Sequence, residues 1–260
     1  MGQISKRKNN FAIVMRWHRA LIRSFGLSIS LLISVCSCDS TEEPVPENDA
    51  AYFPLKVGAY QIYDVEETQI DQIHTVKLAY QLHTEVSDSF PNQNGGYVYI
   101  ITRTKRNNPA SSWSPVDTWS ARVDDKQVVV NEENIPYVKL SFPFAENKDW
   151  NGNMLNNLGG NEDCGTTKES CDIYTLENIS DRYEINSNLS FDKTVTVAQS
   201  DEIDVILGKD VRNEVYALEV GLIYKESTIL EYCSTGACAG KQEIIKGFIY
   251  KQVINEYGGY

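Results

Sequence analysis

Apolar and polar residues alternate with period two over most of the chain after residue 50. The clearest stretch sets Val76, Leu78, Tyr80 and Leu82 against Lys77, Ala79, Gln81 and His83, the mark of a half-buried strand. Residues 97–103 are rich in aromatic and β-branched side chains, which suit a pleated surface. Further strand-like runs cover 57–66, 117–123, 127–131, 136–142, 173–178, 182–185, 191–199 and 202–207. Asn, Gly, Pro and Asp clusters at 92–96, 107–109, 124–125 and 208–210 read as breaks between them. The two longest alternating runs, 222–232 and 243–256, flank the Cys- and Gly-containing segment 233–240 and predict a long antiparallel hairpin that closes the domain. Helical spacing is confined to Val211, Val215 and Leu218, and these residues fit equally well into a strand ending at Gly221. The stretch 144–172 is rich in Asn and Gly and predicts an ordered excursion. The expected fold is all-β: a single curved antiparallel sheet, a partial barrel or a sandwich, with at most one or two short helices.

The N-terminal region follows a different pattern. Six Lys and Arg residues and no acid lie within residues 1–37, followed by an apolar run from Phe25 to Val35 that ends at Cys36 and Cys38. A basic segment, a short apolar core and small residues before a processing point form the secretory pattern. Eleven residues are too few for a membrane-spanning helix, which needs about 20. Val35-Cys36-Ser37-Cys38 resembles a bacterial lipobox. Ser37 is the small residue expected before a modified cysteine, which favours Cys38 over Cys36 as the lipidated residue. Met15 would start a signal of ordinary length. Residues 1–37 are therefore read as a lipoprotein signal peptide, 38–50 as an acidic, proline-containing tether, and 51–260 as one β-rich domain. Asp39-Ser40-Thr41 resembles an O-glycosylation sequon, which would make Ser40 the acceptor; the other reading is a plain linker. Without residues 1–37 the chain holds 18 basic and 36 acidic residues, a net charge of −18. That charge argues against nucleic acid and against anionic membrane surfaces as partners.

Three segments carry a resemblance. Residues 51–63, with Tyr52-Phe53-Pro54-Leu55, Gly58 and Tyr63, resemble the opening of uncharacterised Bacteroidota lipoproteins. Phe142-Pro143-Phe144 followed by Trp150-Asn151-Gly152 is similar to a second segment of that family. Glu214, Tyr216-Ala217, Val220-Gly221 and Tyr224 are similar to a third. The resemblance implies a β-rich lipoprotein of the outer membrane or cell surface, with a periplasm-facing position as the other option. It transfers no active residues.

Few groups carry candidate chemistry. Cys164, Cys171, Cys233 and Cys238 lie in a chain bound for an oxidising compartment. Their spacings do not suit zinc, and local disulfides Cys164–Cys171 and Cys233–Cys238 are expected. His74 and His83 sit about 30 Å apart along one extended run, too far to share a metal. Residues 147–153 begin like a calcium loop, but Asn147 and Leu158 stand where acids are required. The Gly-x-Ser-x-Gly, His-Glu-x-x-His and P-loop patterns are absent. Trp113, Trp119 and Trp150 are the candidate ligand-contact residues. The reading is a membrane-anchored, non-catalytic lipoprotein, with no cofactor and no metal. It would bind an apolar ligand or an envelope protein. The alternatives are a glycan-binding module using Trp and Tyr platforms, and a glycoside or ester hydrolase whose acids the sequence does not locate.

Overall fold

The computed structural model describes residues 48–93, 95–158 and 172–260. Twelve strands run through them: β1 (Tyr60–Ile70), β2 (Thr75–Pro91), β3 (Tyr97–Arg106), β4 (Ser114–Val123), β5 (Gln127–Glu132), β6 (Ile135–Ser141), β7 (Asp149–Asn151), β8 (Ile173–Asn186), β9 (Leu189–Asp204), β10 (Gly208–Ala217), β11 (Gly221–Tyr232) and β12 (Ile244–Gly258). They form one antiparallel sheet in the order β6-β5-β4-β3-β2-β1-β12-β11-β10-β9-β8-β7. Strands that follow one another in the chain pair, except β6 and β7, which are the two edges. The last strand pairs with the first, Tyr60 lying opposite Gly258, and this pairing joins the two halves of the sheet.

The two edges, β6 and β7, come together. The Val138 N–H donates to the Gly152 carbonyl (2.9 Å). The Trp150 indole Nε1 donates to the Val138 carbonyl (2.8 Å), and the Asn156 amide donates to the Pro136 carbonyl (2.8 Å). These contacts bring the curved sheet close to a closed barrel, which protects edge groups that would otherwise template aggregation. Gly152 is required at the seam, because a Cβ there would lie 2.3 Å from the Tyr174 ring.

The all-β expectation holds, and the sheet is a partial barrel rather than a sandwich. Among the described residues only two short 3-10 turns occur, at Asp49–Tyr52 and Gly236–Cys238. Residues 211–218 belong to strand β10 and the turn after it, not to a helix. The runs 173–178 and 182–185 are one strand, β8, bulged where Asn178 and Ser180 take positive φ. The break expected at 208–210 falls at 205–207 instead. There the Asp204 carboxylate accepts from the Ile206 and Leu207 N–H groups (2.7 and 2.9 Å). Gly208 lies within β10, where a Cβ would sit 2.1 Å from the Leu230 carbonyl oxygen, so the glycine permits close backbone approach. The excursion of residues 144–172 contains the short strand β7. Residues 49 and 50, within the stretch read as tether, open the first 3-10 turn, and Asp49 accepts the Phe144 N–H (2.7 Å).

Two apolar clusters fill the sheet's curvature. One gathers Val128, Val130, Val138, Leu140, Trp150, Leu176, Val195 and Val197, and the other Tyr63, Val65, Leu82, Phe191, Ile223 and Ile254. Each fully buried aliphatic contributes about 1.5–3 kcal/mol of transfer energy. Val76 and Leu78 share the parity of buried Leu82 but remain 47% and 43% exposed. β2 is 17 residues long, but its pairing with β3 ends at Gln81, so residues 75–80 are paired only with β1. The hairpin tip Val205, Ile206 and Leu207 is exposed as well.

Candidate functional site

The inside of the curved sheet holds a half-open cavity of about 350 Å³, within the range that holds one small ligand. Residues 53–55 form its floor. Phe53 packs on Tyr216 at 6.0 Å between ring centroids, Tyr52 meets Phe144 edge-on at 5.4 Å, and Leu55 joins the apolar core. The floor is tied down by backbone bonds from Glu219 N–H to the Ala51 carbonyl (2.8 Å) and from Gly58 N–H to the Val86 carbonyl (2.8 Å). Leu82, Ile101, Trp119, Tyr63 and Phe248 make the wall largely apolar.

One side of that wall is charged. Lys139 on β6 bridges Glu132 (2.7 Å) and Glu214 (2.9 Å), and Lys225 on β11 reaches Glu214 (3.0 Å). The Tyr216 hydroxyl donates to the other Glu214 oxygen. Burial alone would raise the Glu214 carboxyl, but Lys139, Lys225 and the Tyr216 hydroxyl outweigh it and hold the group well below its ordinary value. Glu132 is likewise lowered, with Lys139 outweighing its burial. Burial opposes the Lys139 charge, yet Glu132 and Glu214 raise it above the usual lysine range. Tyr216 is raised by burial and by Glu214. Both carboxylates are therefore held ionised by cations. A glycosidase-type pair needs one acid kept protonated, and this arrangement works against that.

A second charged group faces the cavity. Arg103 on β3 donates from Nη1 to Asp117 Oδ2 (2.7 Å) and stacks on Trp119 at 3.7 Å from the ring centroid. The Trp119 indole donates to the same carboxylate (3.2 Å). Arg103 Nε and Asp117 Oδ1 are buried and have no hydrogen-bond partner among the described residues.

The three tryptophans of the sequence reading are scattered. Trp119 lines the cavity. Trp150 is 8% exposed and staples the seam, so it is a core residue and not a ligand platform. Trp113 stacks with His83 at 5.3 Å and under Arg106 at 4.2 Å. His83 also meets Tyr60, and burial lowers its pKa. His74 lies in the turn after β1, beside Asp71. Cys233 and Cys238 are joined by a disulfide in the β11–β12 connection, with Cα atoms 5.8 Å apart. Cys164, Cys171, Cys38 and Ser40 lie outside the described residues. Within 147–153, Asn147 takes positive φ in a turn and Asp149 opens β7. No cluster of three or more metal-ligating side chains occurs among the described residues.

Sequence reasoning missed Arg103, Glu132, Lys139 and Glu214. A signal existed: Arg103 has the parity of Ile101, Glu132 that of Val130, and Glu214 that of Tyr216. A charge on the apolar parity of a strand is the trace such a site leaves. Phe53 to Leu55 form the floor, Trp150 and Gly152 lie at the seam, and Glu214, Tyr216 and Gly221 line the cavity.

No known protein family matches the chain, and no curated protein matches it. Solved structures similar to it include a Bacteroides fragilis NCTC 9343 protein described as exported and as having a YmcC-like fold. It is 14% identical, with 79% of this chain and 98% of that chain covered and a TM-score of 0.37. Another is a Parabacteroides distasonis ATCC 8503 protein described as a lipoprotein, 11% identical, with 80% and 98% covered and a TM-score of 0.38. At these values the likeness says nothing about what this chain binds.

Proposed function

We propose that this protein is a lipid-anchored envelope lipoprotein whose barrel binds a small, largely apolar molecule. The observation that carries the reading is the interior cavity of about 350 Å³, walled by Leu82, Ile101 and Trp119 and floored by Phe53 and Leu55. The sequence supports the anchor through the apolar run before Ser37-Cys38. The outer membrane or cell surface is the proposed location. Dispersal of the tryptophans weighs against a glycan platform, and the cation-bridged carboxylates weigh against a hydrolase.

The test is mass spectrometry of the protein purified from the membranes of its own cells. The mature N-terminus should be an acylated Cys38 followed by Asp39. Under native conditions a bound small molecule should appear, be released by organic solvent, and be lost in a Leu82→Trp variant that fills the cavity. A protein that carries no ligand, and that also fails to take up the neutral dye N-phenyl-1-naphthylamine, would overturn the binding reading. Processing at a residue other than cysteine would overturn the anchor.

A further inference from the structure

We infer that Arg103 selects the head group of the ligand, and that this head is uncharged and rich in acceptor oxygens, such as a glycerol ester. The inference rests on the binding reading above and narrows it to a class of ligand. Arginine carries five N–H donors in a planar fork. Among the described residues Arg103 uses one of them, from Nη1 to Asp117. Its side chain is 13% exposed and lines the cavity, and its Nε is buried without a hydrogen-bond partner among the described residues. Stacking on Trp119 fixes the plane of the fork before any ligand arrives. A preorganised donor set of this kind loses little freedom on binding.

Charge decides which acceptor it takes. The cavity's two ion clusters contain three cations, Arg103, Lys139 and Lys225, and three carboxylates, Asp117, Glu132 and Glu214. Glu85 adds a further carboxylate to the lining. No cation is in surplus. A fatty carboxylate would enter a low-dielectric space with no free positive charge and with acids nearby, and desolvating it would have nothing to offset it. A quaternary ammonium would leave the Arg103 donors unpaired. An ester carbonyl or hydroxyl accepts those donors and leaves the charge balance unchanged, while its alkyl chain lies among Leu82, Ile101, Phe53 and Leu55.

The test uses the mature chain with Cys38→Ser, which omits only the acyl chains. Displacement of N-phenyl-1-naphthylamine is followed with 1-monolauroylglycerol, laurate and dodecyltrimethylammonium, each below its micelle concentration. Monolauroylglycerol should bind at least about tenfold more tightly than either charged probe. Arg103→Lys keeps the charge beside Asp117 but loses the planar fork, and it should shrink that preference to about threefold or less with the fold intact by circular dichroism. Equal or tighter binding of laurate would overturn the head-group inference, as would a ranking unchanged by Arg103→Lys. If the lysine variant does not fold, the ranking on the unsubstituted protein decides. Dye uptake with equal displacement by all three probes would sink the head-group inference alone. Absence of any uptake would sink the binding reading itself.

Discussion

Replacing Lys139 by methionine tests whether the interior charges act as one unit. The side chain is 7% exposed and bridges Glu132 and Glu214, whose side chains are 18% and 1% exposed. Methionine has nearly the same volume, so the change removes a charge without opening a large void. It leaves two buried carboxylates with Lys225 as their remaining cation. Breaking a buried ion pair from one side costs about 3–5 kcal/mol, because a charge is left uncompensated. For a domain of this size, 1 kcal/mol moves Tm by roughly 2–4 °C, so Tm should fall by roughly 6–20 °C at pH 7. The pH dependence gives the stricter check. In the unsubstituted protein the lowered Glu132 and Glu214 contribute stability above their ordinary value of 4.5, and that contribution is lost as pH falls below it. The raised Lys139 contributes below its ordinary 10.5 and loses that contribution as pH rises past it. In Lys139→Met, burial prevails over the remaining cation and the carboxylates take up protons nearer neutrality. The Tm deficit should therefore narrow as pH is lowered from 7 toward 5. Thermal melts followed by far-ultraviolet circular dichroism across that range measure both effects. A deficit at pH 7 below about 3 °C, or one that widens on acidification, would refute the unit.

Two further substitutions probe closure of the barrel and the β11–β12 hairpin. Trp150→Phe keeps most of the packing but leaves the buried Val138 carbonyl without the indole donor, and urea titration should show a loss of about 1–3 kcal/mol; a change within 0.5 kcal/mol, on the order of a neutral surface substitution, would mean the seam does not need that bond. Cys233→Ser with Cys238→Ser opens a very short loop at an exposed tip, for which loop-closure entropy gives at most about 2 kcal/mol, so the doubly substituted chain should fold with a β-dominated spectrum; failure to fold would show that the disulfide organises more than its own turn.

Alternation along the chain was enough to read the class of fold, because a strand with one face on a core must repeat every two residues. It could not tell how far each neighbouring strand reaches. Val76 and Leu78 have the pattern of core residues, yet they stand beyond the end of the β2–β3 ladder at Gln81. Glycine was an ambiguous mark: Gly208 looked like a turn and is a point of close approach, whereas the turn beside it is made by Asp204 capping its own backbone. β8 looked like two strands because its bulges carry the polar residues Asn178 and Ser180. The site was harder to read because its members come from β3, β4, β5, β6, β10 and β11. Lys139 and Glu214 lie 75 residues apart and meet only when the sheet curls. Trp119 was singled out as an aromatic, but its partners Arg103 and Asp117 emerge only from the β3–β4 register, which sets Arg103 opposite Asp117.

The cavity and its charges are best understood together. A half-open space of about 350 Å³ leaves apolar wall area unburied that larger side chains could cover, at about 25 cal/mol per Å². A barrel selected only to remain folded would close such a space with larger aliphatics, and would gain again by replacing Lys139, Glu132 and Glu214 with apolar side chains. This chain keeps both the space and the charges. The polar groups allow water to occupy the cavity when no ligand is bound, since a water needs two to four polar partners to be held. Arg103, Gln61, Thr84, Ser227 and Gln252 supply such partners around the wall. An amphiphile that displaces this water can place its chain on the apolar floor and its oxygens against the donors. Binding to the folded state alone would then raise stability by about 2.7 kcal/mol at one hundred times the dissociation constant. On this argument the interior is a compromise between two fillings, water and ligand, and the charged wall makes both compatible with one fold.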